Sequence, residues 1–301
     1  MTSPKSYFYS TAVLCLVSSV HSFAALSSID APSSAWNSVS YKSVADDPTD
    51  SNGAQHEELV GTALVPFFFT AFDDNSTPSN KTDGTMYFRT RHADADNKGN
   101  FSSNLFIGID ANKDFVLDAF VGVNSSGNSN DIFIASPDFS ASNDSVNDSK
   151  IDRGTETSVT INPGVNYNWR KLTAADFSDP TDSLDLDGAQ DGSEDDYYLS
   201  FSVNFNTLSS VLSTNTGTTV DEDTALRFVV GTSTQNNSFN KDLGGLNGSG
   251  DFGTAFSLLP NGGPVSEQFS ATGTPILVPE PTSSMLLASG LLLACGIRRK
   301  K

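Results

Sequence analysis

The sequence predicts an all-β protein built as a single antiparallel β-sandwich with long polar loops. Short apolar runs rich in β-branched and aromatic residues recur along the chain, separated by Ser, Thr, Asn, Asp and Gly. Sustained 3.6-residue periodicity is almost missing from the pattern, which leaves little room for helices. The chain is 37% hydrophobic and contains 21 phenylalanines, which is enough to build a core.

The first half of the chain predicts the leading strands. Pro66 interrupts the apolar run 58–74, which therefore predicts two short strand pieces or an edge strand. In "GTMYFRTRHAD" (84–94), Met86 and Phe88 alternate with Arg89 and Arg91, so the two pairs face opposite sides of one strand. The runs "NLFIGID" and "FVLDAFVGV" flank a four-residue turn, 111–114, and predict a hairpin.

The second half predicts four more strands and one short helix. The strands are "DIFIAS", "TSVTIN", "YYLSFSVNF" and "ALRFVVGTS". Residues 206–213 are the one helical candidate of the body, a turn or two in length. The β-sandwich domain is assigned to residues 25–258, and the Pro- and Gly-containing stretch 259–277 is predicted to be a linker.

The N-terminus has the pattern of a secretory signal helix. Lys5 precedes an apolar stretch, and the small residues Ser22 and Ala24 have the spacing that signal peptidase requires. We expect cleavage after Ala24, so residues 1–24 are excluded from fold reasoning. Secretion would place the body outside the inner membrane.

The C-terminus ends in "VPEPTSSMLLASGLLLACGIRRKK" (278–301). As a helix, its apolar stretch 285–297 spans about 20 Å, which is short of a hydrocarbon core of about 30 Å. The basic end would stay in the cytoplasm. A transmembrane-like helix of this length suits transient insertion into the inner membrane or, in the alternative interpretation, a single-pass anchor that is never processed.

This terminus resembles the PEP-CTERM sorting signal of Gram-negative bacteria. The three parts of that signal occur in order: a Pro-Glu-Pro motif, a short apolar helix and a basic end. The matching residues are Val278, Pro279, Glu280, Pro281, Arg298, Arg299, Lys300 and Lys301. The resemblance implies processing by the membrane enzyme exosortase and a destination in the outer envelope or extracellular matrix, but it implies no activity.

The composition of the mature body limits its partners. Removing residues 1–24 and 282–301 takes away five of the 17 cations and none of the 36 acids, which leaves a net charge of −24. Such a body repels nucleic acid and anionic membranes. Cys15 and Cys295 both lie in the removed ends, so disulfides and thiolate metal sites are excluded from the body.

The order of strands in the body is similar to that of DOMON-like sandwiches, which include family-nine carbohydrate-binding modules. "GTMYFRTRHADAD" is followed by "LFIGIDANKD", then by "YYLSFSVNFNTLSSVLS" and by "ALRFVVGTSTQNNSFNKDLGG". The resemblance implies a jelly-roll-like sandwich and a binding role. It does not identify particular residues as haem ligands or as a tryptophan platform for sugar binding.

The sequence gives little support to catalysis. His56 and His92 are the only histidines of the mature body, and no G-x-S-x-G motif, H-E-x-x-H motif or phosphate loop is present. We therefore predict a non-catalytic envelope or matrix protein that is structural or binds extracellular polysaccharide weakly. The alternative is a secreted polysaccharide hydrolase that uses two of the many carboxylates.

Two sets of residues are candidates for binding sites. Tyr167 and Trp169, beside an Asn-Pro-Gly turn, either stack on sugar rings or belong to the rim of the core. Asp110, Asn112, Asp114 and Asp118 match the calcium-loop spacing D-x-N-x-D-x-x-x-D.

Two features of this acidic loop count against calcium. Phe115 stands where such a loop needs glycine, and Val121 stands where it needs glutamate. Asp94 and Asp96, in the loop 94–100, are candidates for the missing oxygen ligands. The stretch 110–118 is therefore either a calcium site or a polar hairpin turn.

Overall fold

The computed structural model describes residues 26, 28–39, 41, 54–61, 66–77, 79–127, 130–177, 196–245, 253–258 and 266. The predicted signal peptide, the predicted sorting signal and the linker 259–277, apart from Ser266, lie outside these residues. A search of the described part of the chain finds no helix with the length and apolar character needed to cross a membrane.

The described residues form ten strands and one α-helix. In chain order the strands are β1 (Asn37–Ser38), β2 (Phe68–Asp73), β3 (Thr85–His92), β4 (Asn104–Asp110), β5 (Ala119–Asn124), β6 (Asp131–Ala135), β7 (Thr157–Thr160), β8 (Tyr167–Lys171), β9 (Tyr197–Asn204) and β10 (Arg227–Ser233). The helix α1 (Phe205–Thr216) lies between β9 and β10. The predicted all-β character is confirmed.

The strands pair antiparallel in two five-stranded sheets. The first has the spatial order β1-β2-β3-β9-β8, and the second has the order β10-β4-β5-β6-β7. One large apolar cluster takes side chains from both sheets. Within it, the ring of Phe228 on β10 lies 5.5 Å from that of Phe68 on β2 and 6.3 Å from that of Phe88 on β3, so the sheets share a core.

The outer faces of both sheets are also covered. A second apolar cluster lies on the far side of the second sheet, where Phe106 and Phe133 pack under loop residues such as Phe256. In a third cluster, the N-terminal segment, residues 28–39, covers the first sheet; this cluster includes Trp36 and Tyr198. Most central strand residues are consequently buried on both faces.

Arg89 holds the N-terminal segment against the first sheet. Its side chain is fully buried and donates hydrogen bonds to the carbonyls of Ala31 (2.8 Å) and Ile29 (3.0 Å). Its Nε donates to Ser200 Oγ at 2.8 Å, and the rings of Trp36 and Tyr198 lie 4.1 and 4.8 Å from its guanidinium carbon. The predicted alternation of β3 thus places an arginine on the outer face, where this segment shields it from water.

The helix is longer than predicted. It spans twelve residues, because Asn204 caps its first turn by accepting from Thr207 N and Gly217 ends it with φ 71°. The last turn consists of poor helix formers and is held by tertiary contacts. The Asn215 side chain, for example, donates to Asp118 O at 2.7 Å. The predicted limit of one or two turns was wrong for this reason.

Two local predictions need correction. The connection between β4 and β5 has eight residues, 111–118, and not four, because the Asp118 carboxylate accepts from Ala111 N and Asn112 N within the turn. The stretch beginning at Tyr167, which was not among the predicted strands, is the edge strand β8. The interruption at Pro66 is confirmed, since β2 starts two residues after it and Leu59 makes a separate bridge to His92.

Ser266, which falls within the predicted linker, contacts the body. It is buried and exchanges two hydrogen bonds with Phe228, from Ser266 N to the Phe228 carbonyl and from Phe228 N to Ser266 Oγ, both at 2.9 Å. Ser266 itself is therefore held by β10.

Candidate functional site

A pocket of about 560 Å³ opens where the edge strand β8 of the first sheet faces the ends of the strands of the second sheet. Its apolar lining consists of Phe101, Ile161, Pro163, Tyr167 and Trp169. Its polar lining consists of Asn100, Ser125, Asn130 and Asn168, and the glycines are Gly99 and Gly127. Concave sites of this size with an apolar wall and a few polar groups are typical of small-ligand binding.

Strand β8 places Tyr167 and Trp169 in the pocket. Tyr167 pairs with Phe201, and Trp169 pairs with Leu199, both of which point into the shared core. Because side chains alternate along a strand, the two aromatic residues share the inward face of β8. At the edge of the sheet this face is only half covered, so both rings pack on the core and line the pocket as well. The structure thus places both residues at the rim of the core and beside the pocket, and their stacking on sugar rings stays a prediction.

Aromatic contacts fix the orientation of the Trp169 ring. It stacks on Tyr197 with a centroid distance of 5.0 Å and an interplanar angle of 14°. Phe101 and His92 lie 5.5 and 5.4 Å from it. Its buried indole Nε1 has no hydrogen-bond partner among the described residues, so packing holds the ring in place. Burial raises the pKa of the Tyr167 phenol, which keeps that hydroxyl uncharged at neutral pH.

A tight loop supplies the Asn100 side of the pocket. Asp96 Oδ1 accepts hydrogen bonds from Lys98 N (2.9 Å) and Asn100 N (2.7 Å), and Gly99 has φ 78°. Burial alone would raise the pKa of Asp96, but these hydrogen bonds outweigh it and lower the pKa. Asp96, predicted as a calcium ligand, thus shapes a turn beside the pocket.

A histidine pair lies behind Phe101. His92 is fully buried, and burial lowers its pKa to about 3. Its Nδ1 is 3.0 Å from the carbonyl of His56, whose own Nε2 is 3.2 Å from Ser102 Oγ and 3.3 Å from Ser103 Oγ. The nearby Glu57 carboxylate accepts from Ser103 Oγ at 2.5 Å, while His56 Nδ1 has no partner in the described part of the chain. Among the described residues, the hydrogen-bond partners of the two imidazole rings are hydroxyl groups and a backbone carbonyl, and no carboxylate is bonded to either ring.

The predicted calcium loop begins at the last residue of β4, whereas the loop that contains Asp96 precedes the first residue of this strand. Asp110 accepts from Lys113 N and Phe115 N, and Asp114 Oδ1 accepts from Val116 N. Phe115 has φ 67°, the left-handed conformation in which a calcium loop has glycine. Burial raises the pKa of Asp118 to about 6.

A cation of the protein itself already lies in this acidic loop. Arg227 donates to the Lys113 carbonyl at 3.1 Å and lies 3.5 Å from Asp110 Oδ2. Its guanidinium carbon is 4.1 Å from the centre of the Phe115 ring. The described residues contain no group of three or more acidic, histidine or cysteine side chains placed to hold a metal ion.

The structure does not bring the two sets of predicted calcium ligands together. Asp94 and Asp96 precede β4, whereas Asn112, Asp114 and Asp118 follow its last residue, Asp110. Seven residues of extended strand separate the sets by about 20 Å. The remaining predicted site residues, which form the C-terminal sorting motif, lie outside the described residues.

Sequence reasoning missed the residues that complete the pocket. Asn100 and Phe101 are neighbours in the connection between β3 and β4, and Asn130 comes from the connection between β5 and β6 about thirty residues later, so no single stretch of sequence indicates that they meet. Comparisons with known proteins add nothing to the assignment, because no family model, no curated protein and no solved structure matches the chain.

Proposed function

We propose that this protein is an exported, non-catalytic component of the outer envelope or extracellular matrix that binds carbohydrate weakly. The observation that carries the proposal is the pocket formed by Tyr167, Trp169 and Phe101 with amide side chains at its rim. Flat aromatic faces cover the apolar side of a pyranose ring, and amides donate to and accept from its hydroxyl groups. Both kinds of group meet in this pocket.

The proposal includes the route by which the protein reaches its destination. Signal peptidase would remove residues 1–24, and exosortase would process the chain at the Pro-Glu-Pro motif after transient insertion into the inner membrane. The resemblance of residues 278–301 to the PEP-CTERM signal supports this route. The body would be a β-sandwich of the jelly-roll or DOMON-like type, which two antiparallel sheets with a shared core support.

Glycan binding by wild type and a pocket variant tests the proposed activity. Purified protein would be titrated with oligosaccharides from several polysaccharides while heat of binding and release of reducing ends are measured. We expect binding without release, and we expect Trp169→Ala to weaken it by about 1–2 kcal/mol, or roughly 5- to 30-fold, as the stacking surface is lost.

Phe139→Ala is the matched control, because Phe139 is 68% exposed and does not line the pocket. Melting curves of both variants separate a binding defect from unfolding. Turnover of any oligosaccharide would favour the hydrolase instead, and equal loss of binding in both variants would remove the pocket from the proposal.

A further inference from the structure

The pocket walls are electrically neutral. Each of its polar side chains is an amide or a hydroxyl, and the described residues that line it include no Lys, Arg, Asp or Glu. A carboxylate or sulfate group needs a cationic or multiply donating partner when it leaves water, since burial without one is strongly unfavourable. An uncharged hydroxyl needs only the groups that this pocket offers.

One carboxylate lies directly behind this wall. Asp96 is behind Asn100, with its Oδ1 2.7 Å from the Asn100 backbone nitrogen. The other nearby carboxylate, Asp30, accepts from the Asn168 side chain on the opposite face of β8, where Arg89 and Arg170 offset its charge. Lys98 belongs to the same loop as Asp96, but it is exposed and does not line the pocket.

We propose that this pocket selects uncharged sugars and rejects uronic acids and sulfated sugars. The inference rests on the proposed carbohydrate binding and adds the class of ligand. An acidic sugar would lose water without gaining a cation and would also lie near the negative charge of Asp96. Specificity of this kind arises from the repulsion of the wrong ligand as much as from contacts to the right one.

A paired panel of glycans tests the selectivity with the full-length protein. The neutral probes are cello-, malto-, manno- and chito-oligosaccharides, and the acidic probes are oligogalacturonates and oligoalginates of equal length. Binding is followed by the indole N–H resonance of Trp169, assigned with Trp169→Phe, so that only events at the pocket are counted. We expect at least one neutral probe to bind ten times more tightly than every acidic probe.

A substitution in the loop tests the origin of the selectivity. Asp96→Asn removes the charge, while its side-chain oxygen still accepts from Lys98 N and Asn100 N. We expect the ratio of neutral to acidic affinity to fall severalfold at low salt. Asp138→Asn is the control, because Asp138 caps a different loop by accepting from Ser140 N and should leave the preference intact.

The outcomes distinguish this inference from the proposed function. Acidic probes that bind at the pocket as tightly as neutral ones, or more tightly, would refute the selectivity and leave carbohydrate binding in place. A preference that Asp96→Asn leaves unchanged would refute the role of Asp96. A Trp169 resonance that no probe moves would refute both the inference and the function on which it rests.

Discussion

Replacing Arg89 by Met should destabilise the protein strongly. Methionine fills a similar space, but it cannot donate to the carbonyls of Ala31 and Ile29 or to Ser200. The guanidinium is charged at neutral pH even though burial and the nearby Arg170 lower its pKa to about 9. The substitution therefore removes three charge-assisted hydrogen bonds and two cation–π contacts.

The magnitude follows from what the substitution leaves behind. The Ile29 carbonyl loses its donor among the described residues, whereas the Ala31 carbonyl keeps the Trp36 indole Nε1 at 3.2 Å. An orphaned buried carbonyl costs about 1–3 kcal/mol, and each lost hydrogen bond to a charged group costs about 1.5–3 kcal/mol. The guanidinium no longer has to be desolvated, which offsets part of that loss. We expect the free energy of unfolding to fall by about 3 kcal/mol, a large share of the roughly 5–15 kcal/mol typical of a folded domain.

Urea denaturation followed by tryptophan fluorescence measures this loss. The chain has only two tryptophans, and Trp36, within the N-terminal segment, is 6% exposed. Release of that segment should therefore shift the emission to longer wavelength before the main transition. Lys81→Met is the control, because Lys81 forms an exposed ion pair with Asp223 and its loss should leave the stability almost unchanged.

The result that would contradict this reasoning is specific. If Arg89→Met unfolds at the same urea concentration as the control, with unshifted Trp36 emission, the buried arginine does not hold the N-terminal segment. A loss of stability equal to that of Arg89→Lys would instead show that the charge matters less than the forked geometry of its donors.

Three further predictions concern the acidic loop and the C-terminus. Burial raises the Asp118 pKa from 3.8 to about 6, so the folded state loses stability as the pH rises through this interval. Asp118→Asn should therefore recover about 1 kcal/mol of stability at pH ~7.5, after allowance for solvent screening, but not at pH ~4.5. Equal differences in urea stability between variant and wild type at both pH values would contradict this. Calcium, magnesium and chelator should give the same melting curve, because the Arg227 guanidinium already lies beside Asp110 and the Lys113 carbonyl. A calcium-specific rise in melting temperature that Asp114→Ala removes would establish the calcium site instead. Intact-mass analysis of the exported protein should show that residues 298–301 have been removed. Glu280→Ala should leave an unprocessed form that stays in the membrane. An exported wild-type chain that still carries residues 298–301 would refute the sorting prediction.

The sequence predicted strands whose pattern is local and missed features set by tertiary contacts. Alternation within β3 is sufficient to assign its two faces, because one face carries Met86 and Phe88 and the other carries two arginines. Nothing in that pattern indicates that the arginine face is buried, since the covering segment lies more than fifty residues earlier in the chain. Periodicity therefore assigns residues to the two faces of the strand but does not indicate whether each face is buried.

The pocket shows the same limit. Tyr167 and Trp169 were found because aromatic residues beside a turn are conspicuous, but their strand was missed, since "YNWRK" is polar and only half-buried at the edge of a sheet. Asn130 and Phe101 enter the site only through the pairing of β4, β5 and β6, which places the ends of distant loops side by side. Such a meeting depends on topology, which no single stretch of sequence encodes.

The contact at Ser266 has a consequence for how the protein would be displayed on a cell. Ser266 is bonded to Phe228 on β10, which pairs with Ile109 near the last residue of β4, whereas the pocket includes Asn100 and Phe101 before the first residue of β4. The seven residues of β4, about 20 Å of strand, separate these two ends of the sheet. From Ser266 to Pro281 the sequence advances by fifteen residues, which can span at most about 50 Å. If the protein is attached to the cell through its C-terminal residues, the attachment leaves the body at the Phe228 end of β10, and the pocket at the opposite end of the sheet would face the polymer that surrounds the cell.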